Sequence, residues 1–250
     1  MNLISALNPV LPARIAIVGA GGKTTALFQL ARQIDGLAWV TTTTHLGTDQ
    51  MGLADRHFVV QDDDEFLTDL LKQQKVTLIT GPFTLDNRVR SLAPEQLELM
   101  RHHADGEKIS ILIEADGSRS IPLKAPGEHE PPIPAWVTHA IVVVGLSVLG
   151  KPFTPQWVYR PELFAQLTGL EEGAPVTIDT ISGMLVQPQG GLKNMPLQAQ
   201  KVALFNQADS AEIQALAKSV VPKLLDGGFD KIIIGSLGKA ETMLECFSRT

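Results

Sequence analysis

Cysteine is nearly missing from this chain: Cys246 is the one thiol among 250 residues. A single thiol makes no internal disulfide, and no Cys/His cluster has zinc spacing, so the sequence points to a reducing compartment. A basic surplus is missing as well. Twenty-one Lys and Arg stand against 27 Asp and Glu, giving a formal net charge of −6. That balance argues against neutralising a nucleic-acid backbone. Small phosphate ligands stay open, because backbone amides bind them without net positive charge. Long apolar runs are missing too, none approaching the about 20 residues of a membrane span. The first segment has no Lys or Arg before Arg14 and is interrupted by Asn8, Pro9 and Pro12, unlike a secretory signal. There is no internal repeat and no low-complexity segment. The expectation is a cytoplasmic protein with neither a membrane nor a nucleic-acid partner.

What is present is an ordinary globular balance, 44% hydrophobic and 19% charged, long enough to bury a substantial core. Short, β-branched apolar runs recur at Arg14–Gly19, Leu37–Thr43, Lys75–Thr80, Ser110–Glu114, His139–Gly145, Lys201–Phe205 and Lys231–Gly235. They do not alternate apolar with polar, which is the pattern of parallel strands covered on both faces. Helical patterns fall between them, at Lys23–Gln33, Asp63–Gln74, Pro94–His103, Pro161–Leu167 and Ala211–Leu225. The stretch Thr177–Pro196 reads as a short helix followed by a loop. The expected architecture is a single α/β domain over residues 1–250: a doubly wound, mostly parallel sheet of P-loop NTPase type with helices on both faces.

The first strand runs into Gly19-Ala20-Gly21-Gly22-Lys23-Thr24-Thr25 and then a helix. Glycines let successive N–H groups turn toward an anion, and the helix start adds its positive end. Lysine reaches terminal phosphate oxygens, and the following hydroxyl can ligate Mg²⁺. The full-length motif has a glycine five positions before Gly22, where Ile17 stands, so this is a shortened form. The alternative is a glycine turn with a solvated lysine. The strand–loop–helix setting favours a nucleoside triphosphate, ATP or GTP, with Mg²⁺.

The strand ending at Glu114 continues as Ala115-Asp116-Gly117-Ser118-Arg119. Acids at a strand's carboxyl end face the ligand crevice of a parallel sheet. Asp116 and Thr24 are the expected metal positions, Glu114 a candidate general base, and Arg119 a candidate for meeting charge on a transferred phosphoryl group. Asp-Gly pairs also form plain turns. Thr41-Thr42-Thr43-Thr44-His45 closes the second strand; Thr43 and Thr44 stand where a γ-phosphate or metal is sensed, and His45 is a candidate ligand-orienting residue or a structural one. Asn206 and Asp209, after a late strand, resemble the guanine-reading pair of GTPases, with Gln207 where lysine is usual. Their alternative is a helix cap, with Asp209 or Ser210 accepting from the first turn.

Five prolines between Ile121 and Pro134 exclude a helix or central strand there. The stretch lacks the softness of a linker and reads as a rigid surface loop over 117–134, carrying Lys124, His129 and Glu130. One amine, one imidazole and one carboxylate could close over a second substrate, or form a salt bridge or docking surface.

Together, GAGGKTT, TTTTHL, IEADG, the loop GSRSIPLKAPGEHEPPIP, QPQGGLKN and NQAD resemble the YqeC family across nearly the whole chain. That family is described as an accessory of selenium-dependent molybdenum hydroxylases, or a selenium-cofactor biosynthesis protein. The resemblance implies a P-loop NTPase-like fold and, as a partner, a selenium- or molybdenum-cofactor enzyme. Two other readings are open. Amide ligases of the Mur and folylpolyglutamate type use a similar short loop, although they carry further substrate domains. A nucleotide-gated docking module would bind nucleotide but turn over only beside its partner.

Overall fold

The computed structural model describes residues 1–44, 46–61, 74–85, 88–238 and 244–249. Helix α1 (Leu3–Leu7) precedes β1 (Arg14–Gly19), α2 (Lys23–Gln33) and β2 (Ala38–Thr42). Then follow β3 (Leu46–Gly47), β4 (Arg56–Val59), β5 (Val76–Thr80), β6 (Arg88–Val89), helix Pro94–Gly106, β7 (Ser110–Glu114), β8 (Leu123–Lys124) and β9 (His139–Gly145). The remainder is β10 (Val158–Tyr159), helices Pro161–Thr168 and Ile178–Leu185, β11 (Gln200–Asn206), helices Ala211–Ser219 and Val221–Asp226, β12 (Lys231–Ile234) and β13 (Glu245–Ser248).

Nine strands form one sheet in the order β13-β12-β11-β9-β1-β7-β2-β5-β4. Eight are parallel, and β13 runs antiparallel to β12. Strand β1 lies between β7 and β9, and the chain fills one side of it before the other. The order therefore reverses at β1, and ligands of such sheets bind beyond the strand ends at that reversal.

The unbroken apolar runs have a direct cause in the packing. Along β1, Ala16 and Val18 enter one core while Ile15 and Ile17 enter the other. The second core also takes Leu3 and Leu7 of α1 and Leu27, Leu30 and Ala31 of α2. The first takes Met100, Phe164, Met184 and Leu224 from helices on the opposite face. Both faces of every central strand are dry, so alternation would bury unpaired polar groups.

Several expectations shift. The run Ala211–Leu225 is two helices, because Pro222 has no N–H to continue the ladder and starts the second one. Ser210, rather than Asp209, caps the first, its hydroxyl accepting from Ile213 N. Strands β4 and β13 were not read from sequence, since both are half-exposed edge strands of mixed composition. The helix expected at Asp63–Gln74 falls almost wholly outside the described residues, as does His45. No helix among the described residues is long and apolar enough to cross a membrane.

Candidate functional site

Gly19, Glu114, Gly145, Thr42 and Asn206 all end parallel strands at the same edge of the sheet. Beyond them opens a cleft of about 740 Å³, whose walls include Gly21–Thr25, Thr44, Gln50, Glu114, Gly117–Ser120, Trp157, Tyr159 and Gln207.

The glycine loop is fitted by contact as well as by conformation. Gly21 and Gly22 have φ of 82° and 124°, a region that side-chain-bearing residues rarely adopt. A Cβ on Gly21 would stand 2.3 Å from Gly145 N, and one on Gly22 would stand 2.2 Å from Asn206 Nδ2. Two of the loop's amides are already used: Gly19 N–H donates to Asp116 Oδ2 (2.9 Å) and Ala20 N–H to Val143 O (2.8 Å). The stretch facing the cleft is Gly21–Thr25, at the start of α2, where no side chain caps the helix. The first N–H groups of a helix lack partners within it, and this end has the geometry of an anion seat.

Lys23 is 4% exposed. Its ammonium donates to Gly19 O (2.9 Å) and Ser118 Oγ (3.0 Å) and lies 3.4 Å from Asp116 Oδ1 and 4.0 Å from Glu114 Oε1. Asp116 does not face the cleft. Its Oδ2 meets the Lys124 ammonium at 2.8 Å, and its Oδ1 accepts no hydrogen bond. Lys124 also donates to Gly117 O (2.8 Å) and Glu130 Oε2 (2.7 Å), and Arg160 grips Glu130 with both terminal nitrogens, at 2.5 and 2.8 Å. The result is a continuous chain of charges, Lys23–Asp116–Lys124–Glu130–Arg160, joining the glycine loop to the proline-rich loop. Burial works against the charge on Glu130, but hydrogen bonds from Arg160 and Lys124 outweigh it and hold its carboxyl down at about 2.

Glu114 faces the other way. Its Oε2 accepts from Thr24 Oγ1 (3.0 Å), which lies 3.3 Å from Gln50 Oε1. Burial pushes the Glu114 carboxyl up, against the opposing pull of Lys23 and the Thr24 hydroxyl. This is a small cluster of oxygen donors whose carboxylate charge is under-compensated. Magnesium is held by one or two carboxylates together with phosphate and water oxygens, so Thr24, Glu114 and Gln50 fit it. Among the described residues no three His, Cys, Asp or Glu side chains gather to hold a metal by themselves, so a metal here would need further oxygens from a ligand.

Asn206 is spent on architecture. Its Nδ2 donates to Gly21 O (2.8 Å) and its Oδ1 accepts from Leu237 N (2.8 Å), tying the glycine loop to the segment after β12. Asp209 is exposed and accepts from Ser236 Oγ at 2.5 Å. Thr44 lines the cleft, whereas Thr43 does not; the Thr43 hydroxyl is buried without a hydrogen-bond partner, and its N–H donates to Glu114 O. Of the proline-rich loop's candidates, Lys124 and Glu130 join the charge chain, while His129 is exposed and outside the cleft wall. The loop is pinned from behind by the GGLKN segment: Lys193 donates to Gly127 O and Glu128 O, and Asn194 to Pro131 O.

Arg119 is exposed, lines the cleft and stacks on Tyr159, its guanidinium carbon 5.4 Å from the ring centre. Sequence reasoning passed over Gln50, Ser118, Tyr159 and Arg160. Ser118 lay inside the acid-bearing run that was read; the other three carry no motif, since the first sits in a short 3₁₀ turn and the others on a two-residue strand and its exit.

The family model described as "YqeC protein" matches residues 15–162. A relative from Escherichia coli (strain K12), named "Uncharacterized protein YqeC", is 34% identical over 219 residues, covering 83% of this chain and 80% of its own length. No solved structure matches significantly.

Proposed function

The chain belongs to the YqeC family, and from that premise we propose that it binds a magnesium nucleoside triphosphate, ATP or GTP, as an accessory in selenium-cofactor biosynthesis or in maturation of a selenium-dependent molybdenum hydroxylase. The observation that carries the nucleotide reading is the Gly21–Thr25 start of α2. It is uncapped, faces the cleft at the strand-order reversal, and has a buried lysine behind it. The accessory role rests on the family alone.

In this reading the Gly21–Thr25 amides seat the terminal phosphates, and Lys23 swings from Gly19 O and Ser118 Oγ onto them. Thr24 and Glu114 hold Mg²⁺, with Gln50 beside them; the ion supplies charge neutralisation to the phosphate oxygens. Asp116 is a brace rather than a ligand, fixing Gly19 N–H and orienting Lys23. Arg119 lines the cleft and stands free of ion pairs among the described residues, available to a bound anion. Positioning and charge stabilisation are then the whole of the protein's contribution.

A second reading has an observation of its own. The Lys23 ammonium is engaged by Gly19 O, Ser118 Oγ and Asp116, a resting arrangement suited to a nucleotide-gated docking module that turns over only beside its partner. Isothermal titration of Mg-ATP and Mg-GTP into the wild type and Lys23→Ala tests the proposal. Binding of one nucleotide, lost in the variant, is expected, and hydrolysis seen only after adding a partner enzyme selects the docking module. No heat from either nucleotide overturns both readings.

A further inference from the structure

The cleft wall continues from the glycine loop through Gly117–Ser120 to Trp157 and Tyr159, with Ser118 accepting from Lys23. Backbone strain concentrates there. Among the described residues seven non-glycine residues have positive φ, and three of them, Arg119 (50°), Ser120 (61°) and Gln207 (62°), line this cleft. A fourth, Arg160 (59°), lies against Tyr159 and Glu130 on the same wall. Left-handed backbone at residues with side chains is unfavourable, and it gathers where a site must hold a fixed shape.

The strain at Arg119 and Ser120 presents a guanidinium laid on an aromatic ring. A guanidinium held over an aromatic face spends none of its N–H donors on that contact, and they match a carboxylate or phosphate edge. Three neighbouring basic groups are already committed, Lys23 and Lys124 to Asp116 and Arg160 to Glu130; Arg88 also lines the cleft. Arg119 forms no ion pair among the described residues, and its recorded contact is Tyr159. Arg160 and Lys124 also stand near Tyr159, their charged groups 4.8 and 5.9 Å from its ring centre.

We propose that Arg119, held by Tyr159, is the receptor for the oxyanion of a second substrate, a carboxylate- or phosphate-bearing acceptor that lies in the cleft beside the nucleotide. Tyr159 is the positioning residue and Trp157 lines the acceptor's side. The inference rests on the nucleotide reading for the word acceptor, but the anion seat is built by residues outside the glycine loop and is tested without turnover.

The test uses the full chain with ¹⁵N-labelled arginine, following the Arg119 Nε–H resonance while benzoate or its neutral analogue benzamide is titrated. Benzoate should shift the resonance saturably and benzamide should not. Tyr159→Phe should keep the benzoate affinity. Tyr159→Leu should weaken it several-fold, and Arg119→Gln, followed through Trp157 fluorescence, at least about tenfold. Thermal melts identify any variant that has failed to fold, and Tyr159→Phe against Tyr159→Leu keeps the test decisive if Arg119→Gln is one of them. The titration is repeated with saturating Mg²⁺ and either nucleoside diphosphate or a non-hydrolysable triphosphate. Benzoate binding that survives both nucleotides supports two seats. Displacement by the triphosphate alone assigns Arg119 to the γ-phosphate and overturns the acceptor seat. Equal responses to benzoate and benzamide, or no saturable response, overturn it too. Failure of nucleotide to bind while benzoate still does would instead fault the nucleotide reading.

Discussion

Lys124 Nζ lies 2.8 Å from Asp116 Oδ2, with each side chain only 2% exposed. This pair links the proline-rich loop to the glycine loop, because the same Asp116 oxygen accepts from Gly19 N–H and the same lysine donates to Glu130. Breaking a buried pair typically destabilises by about 3–5 kcal/mol; without Lys124 the Asp116 carboxylate keeps the Lys23 ammonium at 3.4 Å, which places the loss at the lower end. Lys124→Met is therefore expected to lower unfolding free energy by that order in urea denaturation. Adding Asp116→Asn should recover part of the loss by removing the carboxylate charge; a double variant less stable than the additive sum would contradict the pairing.

Asn206 predicts a loss without base preference. Its two side-chain bonds run to Gly21 O and Leu237 N–H, so Asn206→Ala is expected to loosen the glycine loop and destabilise the chain by about 1–3 kcal/mol. Mg-ATP and Mg-GTP affinities, measured by titration calorimetry, should fall by similar factors. A selective loss of GTP would show that Asn206 reads the base directly. Asp209→Asn, tested the same way, reports on guanine reading separately, since Asp209 is exposed beside Ser236.

The assignment of the metal to Thr24 and Glu114 gives a third expectation. Glu114→Gln and Thr24→Val should each remove most of the difference in nucleotide affinity between magnesium and EDTA, while leaving metal-free binding nearly intact. Asp116→Asn should retain that difference, because Asp116 faces Lys124 rather than the cleft. Retention of the full magnesium effect in Glu114→Gln would move the metal elsewhere.

Acid should act through Glu130. Its carboxyl sits at about 2 in the folded chain against an ordinary 4.5. Its stabilising contribution is thus fully present above the ordinary value and is lost as pH falls through about 2. Discounted for the solvent that reaches the side chain, the contribution is about 1–2 kcal/mol. Unfolding of the wild type and Glu130→Gln should differ by that amount near neutral pH and converge between pH 4.5 and 2. A constant difference across the range would assign the effect to shape rather than charge.

The sheet was legible because its signal is local. The runs at Arg14–Gly19, Ser110–Glu114 and His139–Gly145 are apolar on both pleat faces, and all three are the central strands expected. Edge strands such as Arg56–Val59 carry no such signal, because half-exposure permits mixed residues. The glycine loop was legible for the same reason as the central strands, since its conformation is written into Gly21 and Gly22. Its second role for glycine was not: the 2.2 Å between a Cβ on Gly22 and Asn206 Nδ2 joins residues 184 positions apart.

By itself, then, the sequence determined the doubly wound α/β class, the glycine loop at the end of the first strand, and the acids delivered beside it. These follow from hydrophobic period and short-range backbone preference, which act over a few residues. Only the tertiary structure decided which acid faces the cleft. Glu114 and Asp116 stand two residues apart, yet Glu114 meets Thr24 while Asp116 is enclosed by Lys23 and Lys124. It likewise decided that Arg119 rests on Tyr159, forty residues further along the chain. Charge pairing and burial are set by what packs against a side chain, and that is fixed only when distant segments meet.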